Sequence, residues 1–135
     1  MGQIVTTNGK GIVLNRTFLA TPTQLAPSQF EVGTGTTAPV VGDTDLETKV
    51  TLDGGSTYFK DFVSGFPTLD TTNIQATTRM FLNSLEANGN DLTEMGVFNA
   101  DGTPVLFSRS TFTSLSKTSS IEVTFIEKNS VVWWF

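Results

Sequence analysis

The chain has 135 residues, 38% hydrophobic and 16% charged, with a formal net charge of -5. That length supports one ordinary domain with its own core, and the acidic balance gives no electrostatic reason to approach nucleic acid or an anionic membrane. Cysteine and histidine are both absent, which excludes disulfides, thiolate catalysis, cysteine zinc sites and every Ser-His or Cys-His nucleophile pair.

No run approaches the roughly 20 apolar residues that span a bilayer, and residues 1–10 hold no apolar stretch of signal-peptide length, so a soluble protein is expected. Met1-Gly2 with Thr6 meets only the loose myristoylation pattern and is set aside. Threonine-rich runs such as Thr34-Gly35-Thr36-Thr37 and Ala76-Thr77-Thr78 supply β-branched residues that suit pleated surfaces better than long helices.

Ile12, Val13, Leu19 and Ala20 mark a weak helical stripe, so one short helix is predicted over residues 9–20. Pro22 and Pro27 then forbid regular helix and make 21–28 an extended connector into a short strand, Phe30-Glu31-Val32. A small-residue loop follows over 33–42, after which Asp43 or Thr44 is placed to cap a single helical turn through Leu46 and Val50. Ile74, Ala76, Met80 and Leu82 alternate with mostly polar residues, the period of a strand with one face inward; Phe81 is the exception.

Met95-Gly96-Val97-Phe98, the turn residues Asn99-Ala100-Asp101-Gly102 and Val105-Leu106-Phe107 read as a hairpin, with Gly102 placed to take a positive φ. Ile121, Val123 and Phe125 give a further strand over 121–126. The expected fold is a single mainly β domain over 1–135: an antiparallel β-sandwich or small open barrel with one short N-terminal helix. Eleven phenylalanines are its main core filler.

Asp43-Thr44-Asp45-Leu46-Glu47 opens like a calcium loop, but Thr48 stands where an EF-hand needs glycine and Gly54 where it needs glutamate. An acidic, helix-capping turn is the better reading. Gly33-Thr34-Gly35 lacks the Lys-Ser/Thr of a phosphate loop and the third glycine of a dinucleotide loop, and reads as a tight turn. Nothing in the order of the 13 acids singles out a catalytic pair. The sequon Asn15-Arg16-Thr17 falls in the expected helix and is discounted. No cofactor, metal or catalytic residue is assigned.

The last five residues, Val131, Val132, Trp133, Trp134 and Phe135, are all bulky and apolar. They read either as a strand packed in the chain's own core or as an anchor for a neighbouring subunit. Consecutive residues of a strand face opposite ways, so one sandwich face holds only one of the two tryptophans.

Phe30-Glu31-Val32-Gly33-Thr34-Gly35, followed by a spacer and Asp43-Thr44-Asp45-Leu46-Glu47-Thr48-Lys49-Val50, resembles the signature of phage tail-collar and tail-fibre N-terminal domains, an apolar-x-Val/Ile-Gly-x-Gly loop before a Thr-x-Leu-x-x-x-Val turn. Leu92 to Gly102 is similar to that family's Ile-x-Glu-Ile-Gly-Leu-Phe-x-x-x-Gly hairpin. Leu106-Phe107-Ser108-Arg109, Ser116-Lys117 and Thr7-Asn8-Gly9-Lys10-Gly11 sit where the family has its return strand, a lysine before the last strands and a glycine turn opening its first helix. The resemblance covers about residues 7–125 in order. Long fibres continue into a shaft and a receptor-binding tip, whereas this chain stops at Phe135 and is expected to be the docking module alone.

The resemblance implies a non-enzymatic structural protein of the virion, partnered by itself as a homo-oligomer, expected to be a trimer, and by other proteins of tail, neck or capsid. No contact with nucleic acid or membrane is expected. A capsid decoration protein is the first alternative. A carbohydrate- or receptor-binding sandwich, with Trp133, Trp134 or Tyr58 stacking on a sugar, is the second.

Overall fold

The computed structural model describes residues 2–131. Eight strands and one helix follow in the order β1 (Gly2–Val5), α1 (Thr7–Phe18), β2 (Pro27–Gly33), β3 (Lys60–Asp61), β4 (Thr68–Asp70), β5 (Gln75–Leu82), β6 (Asn90–Asn99), β7 (Leu106–Lys117) and β8 (Val123–Ser130). They form a five-stranded sheet, β1-β7-β6-β2-β3, and a three-stranded sheet, β4-β5-β8, with every named pairing antiparallel. The architecture is therefore the expected sandwich with one short helix, and it is not closed into a barrel.

Apolar burial joins the two sheets. Phe30 and Val32 of β2, Leu92, Met95 and Val97 of β6, and Met80 and Leu82 of β5 share one buried cluster. Phe125 closes it, edge-on to Phe30 at 6.5 Å between ring centroids. On β6 the pairing with β7 shifts between Leu92 and Glu94. This irregularity lets Leu92 and Met95, three residues apart, both reach the apolar cluster, while Glu94 takes the opposite face.

The predicted strands and the helix are present with shifted ends, and one predicted helical turn is not. The hairpin is longer than its apolar runs, because β6 and β7 continue through polar residues as far as Asn90 and Lys117. The strand expected over 121–126 instead starts at Val123 and runs to Ser130. Phe81, the break in the β5 alternation, faces outward beneath the Lys60 ammonium, 5.3 Å from its ring centroid. Asp43 to Val50 forms no helical turn, since its polar groups are drawn into tertiary bonds. Ile74 precedes β5 and holds φ 52, which is the left-handed region.

Helix α1 begins two residues earlier than its apolar stripe implies. Thr6 caps it, its hydroxyl accepting from Gly9 N–H at 2.9 Å and donating to the Leu106 carbonyl at 2.7 Å. Gly9 lies so close to β7 that a Cβ there would stand 2.1 Å from the Phe107 carbonyl oxygen. At the other end the Asn15 side-chain carbonyl accepts from the N–H groups of Thr23 and Gln24, both at 3.0 Å, so the sequon asparagine is a tie to the connector.

Gly102 corrects the hairpin reading: it is exposed, has open space around the Cβ position and does not hold a positive φ. The turn is set instead by Asn99, whose side-chain carbonyl accepts from Val105 N–H at 2.8 Å. Gly102→Val is accordingly expected to change stability by no more than about 0.5 kcal/mol. Gly9→Ala is expected to destabilise by about 1–3 kcal/mol, because the added methyl must separate α1 from β7. Paired denaturant melts of the two variants check both values.

Candidate functional site

The acidic run of the sequence lies against the face of the five-stranded sheet opposite the apolar core, and its carboxylates go three ways. Asp43 accepts from the Arg109 guanidinium at 3.1 Å. Asp45 accepts from the Lys49 ammonium at 3.1 Å, and Glu47 accepts from Thr36 N–H at 3.1 Å. No group of three or more candidate ligands is placed to hold a metal ion among the described residues.

Beneath the run sits Glu94, fully buried on β6. One of its oxygens accepts from Gly35 N–H at 3.0 Å and Thr48 N–H at 2.8 Å; the other accepts from Glu47 N–H at 3.0 Å and Arg109 Nε at 2.9 Å. Arg109 Nη2 is also 2.8 Å from that second oxygen but out of line for a hydrogen bond, so this contact is ionic. Gly33-Thr34-Gly35 thus presents its backbone to a carboxylate of its own chain. A Cβ on Gly35 would stand 2.6 Å from the Glu94 oxygen, which is why that position takes glycine.

Glu31, one strand away, is fully buried and neither of its oxygens meets a protein donor. Burial, the adjacent Asp45 carboxyl and the charge of Glu94 push its pKa up to about 9. A proton held on Glu31 and donated to Asp45 reconciles these observations. Asp45, despite a burial effect in the other direction, is held below the ordinary aspartate range by this bond and by Lys49. Across the sandwich, burial also raises Glu127, which accepts from the Ser108 hydroxyl at 2.8 Å and so links β8 to β7.

The apolar groove lies elsewhere, between α1 and the end of the β4-β5-β8 sheet. It encloses about 790 Å³ and is lined by Val13, Leu14, Leu69, Ile74, Phe107 and Val131, among others. Beyond its rim the end of α1 and the connector after it stay apolar on the outside, with Phe18 71% exposed and Leu19 and Leu25 about half exposed. Of the four residues that marked the stripe, only Ile12 is buried.

Val131 is the one expected interface residue among those described; it is half-exposed, and its N–H donates to the Ile74 carbonyl at 3.4 Å. Val132, Trp133, Trp134 and Phe135 lie outside the described residues. Tyr58 has the Lys49 ammonium 5.2 Å from its ring centroid, so one face of the ring is already engaged.

No family model, curated protein or solved structure matches this chain. The sequence reading missed the buried roles of Glu31, Glu94 and Arg109. Its one available signal was a charged residue flanked by apolar ones within a strand, as in Phe30-Glu31-Val32.

Two predictions follow from the carboxylates. Glu94→Ala removes the acceptor of four hydrogen bonds and strands the Arg109 charge, so it is expected to destabilise by about 3–5 kcal/mol in a denaturant melt. For Glu31 the folded-state pKa is raised above its ordinary 4.5 to about 9. The folded protein therefore binds the extra proton, and this contribution is full below 4.5 and is lost as pH rises toward 9. Melting temperature is expected to fall across that window and to fall less steeply in Glu31→Gln, the remaining slope including Glu127. An unchanged slope in the variant would refute the protonated Glu31.

Proposed function

We propose that this chain is a non-enzymatic structural protein of a tailed-bacteriophage particle, working as a docking module of the tail-collar and tail-fibre kind that its motifs resemble. It associates with copies of itself, as a trimer, and with other virion proteins. The resembling segments support the reading by their placement: the Gly-x-Gly loop, the acidic turn and the β6 hairpin meet at Glu94, so they form one structural unit.

The observation that carries the docking role is the outer face of α1. Soluble proteins bury the apolar stripe of a surface helix, yet Phe18 at the end of α1 stands outward here, joined by Leu19 and Leu25 of the connector that follows it. The charge on α1 favours a second copy as the occupant. Lys10 and Arg16 give the helix +2 and it has no acid, on a chain of net charge -5, so the rest of the chain carries -7. A basic apolar helix docking on the acidic remainder of another copy is a head-to-tail contact, the kind that closes into rings.

Phe18→Asp is expected to abolish self-association at micromolar concentration while leaving the circular dichroism and melt unchanged; sedimentation velocity reads the first and thermal scans the second. A wild-type chain that sediments as a monomer at that concentration would remove the docking argument. For the particle itself, immunolabelling of purified virions is expected to mark the tail or collar. Label on heads moves the protein to capsid decoration, and particles that lack it overturn the virion reading.

A further inference from the structure

We propose that residues 34–49 form a cover over the outer face of β2 and β6 that opens on the loss of a single proton, with the Glu31 carboxyl as its trigger. The inference stands apart from the virion reading, because it concerns one loop and the strand beneath it.

The cover is held by polar bonds far more than by apolar packing. Of its residues only Gly35 and Leu46 are buried, and Leu46 lies outside the apolar cluster that joins the two sheets. Glu94 accepts from the N–H groups of Gly35, Glu47 and Thr48, and Arg109 donates to Asp43. The Thr93 hydroxyl donates to the Gly35 carbonyl at 2.7 Å, and Thr7 N–H donates to the Val41 carbonyl at 2.8 Å. The next residue, Val50, is already fixed: it packs on the apolar cluster and its N–H donates to the Val32 carbonyl at 3.0 Å. Opening therefore breaks hydrogen bonds and bares one leucine, while the core on the other face of the sheet stays closed.

Glu31 lies under this cover, fully buried and with no protein donor to either oxygen. As the neutral acid it donates to Asp45 and adds a tie to the loop. As a carboxylate it faces the Asp45 carboxylate with no donor between them, a buried charge without compensation. Lifting the loop takes Asp45 away and admits water to both Glu31 oxygens. The charged form of Glu31 thus belongs to the open state.

The other charges around Glu31 do not change over the same interval. Asp45 and Lys49 face it from the loop, and Glu94 faces it from β6. Glu94 is paired with Arg109 of β7, Lys60 of the neighbouring β3 is paired with Glu86, and the Tyr58 ring meets Lys49. Asp45 and Glu47 are held below their ordinary ranges, and Lys49 and Arg109 above theirs. None of these four switches charge between 4.5 and about 9, the span over which Glu31 is shifted. The chain has no histidine or cysteine to titrate there. Glu127, the other carboxyl raised by burial, lies on β8 and bonds to Ser108 and Asn129 instead.

The closed cover holds the extra proton. Its closure is therefore favoured in full below 4.5, weakens by about tenfold in equilibrium constant for each pH unit above that, and levels off at about 9.

Native-state hydrogen exchange reads the opening, once each amide's rate is divided by its unstructured rate at the same pH. In the wild-type chain the Gly35, Glu47 and Thr48 amides are expected to lose about tenfold in protection per pH unit from pH 5 to pH 8, and to stay less protected than those of Met80 and Val97. Glu31→Gln is expected to flatten that dependence. Glu31→Met, a side chain of similar length with no proton to lose, serves as the second variant and is expected to flatten it likewise.

Three results overturn the proposal. Loop protection in the wild type does not change with pH; or the slope persists in both variants, which would assign the trigger to another group; or the loop amides exchange only together with Met80 and Val97, which would make the opening part of global unfolding.

Discussion

The carboxylate of Glu94 joins parts of the chain that are far apart in sequence. Burying it without partners would cost several kcal/mol, and the compensation comes from three backbone N–H groups of the 33–48 loop and from Arg109 on β7. Charge-assisted bonds of this kind are short and directional, so they fix where the loop lies as well as holding it. The loop has little regular structure of its own, with one isolated bridge between Gly33 and Lys49. Its course over the sheet is therefore set by the acceptor beneath it.

That constraint gives the five-stranded sheet two buried faces of opposite character. One face meets the three-stranded sheet through Phe30, Val32, Met95 and Val97. The other carries Glu31, Glu94 and Arg109 under the loop, with Leu46 packed close over Gly96. Because β2 and β6 are covered on both sides, all residues from Phe30 to Gly33 and from Leu92 to Asn99 are buried, polar ones included. Glu31 fits this environment only as the neutral acid, and that makes the polar face sensitive to pH.

Much of the sandwich was legible from local pattern. The β5 alternation, the hairpin and the start of β8 each carry enough apolar residues to declare a strand. The edge strands β1, β3 and β4 did not, since they are two to four residues long and their pairing is decided by partners distant in the chain. Asp43 to Val50 has good helix-capping chemistry and forms no helix, because Arg109 and Glu94 offer its polar groups stronger tertiary bonds. Gly102 misled for the opposite reason: an asparagine side chain, Asn99, closes the turn and leaves the glycine no special conformation to adopt. The groove was not legible at all, since it joins residues of α1, the β4–β5 turn and the end of β8. The apolar segment that reading marked as an interface nevertheless begins on its wall.

Helix α1 explains why an apolar period can be real and still point outward. A surface helix is ordinarily held by its side-chain stripe, and the stripe is then consumed by the core. Here the attachment is made by small groups: the Thr6 hydroxyl on the Leu106 carbonyl, the Gly9 backbone against Phe107, and the single buried side chain of Ile12. Close backbone approach leaves no room for a wide stripe beneath the helix, so Leu14, Phe18 and Leu19 turn toward the groove or the solvent. Anchoring through Thr6 and Gly9 thus separates two tasks that most amphipathic helices combine. The helix can be held in place by residues 6–12 while residues 13–19 remain available for contact, and substitutions in the second set can change association without loosening the first.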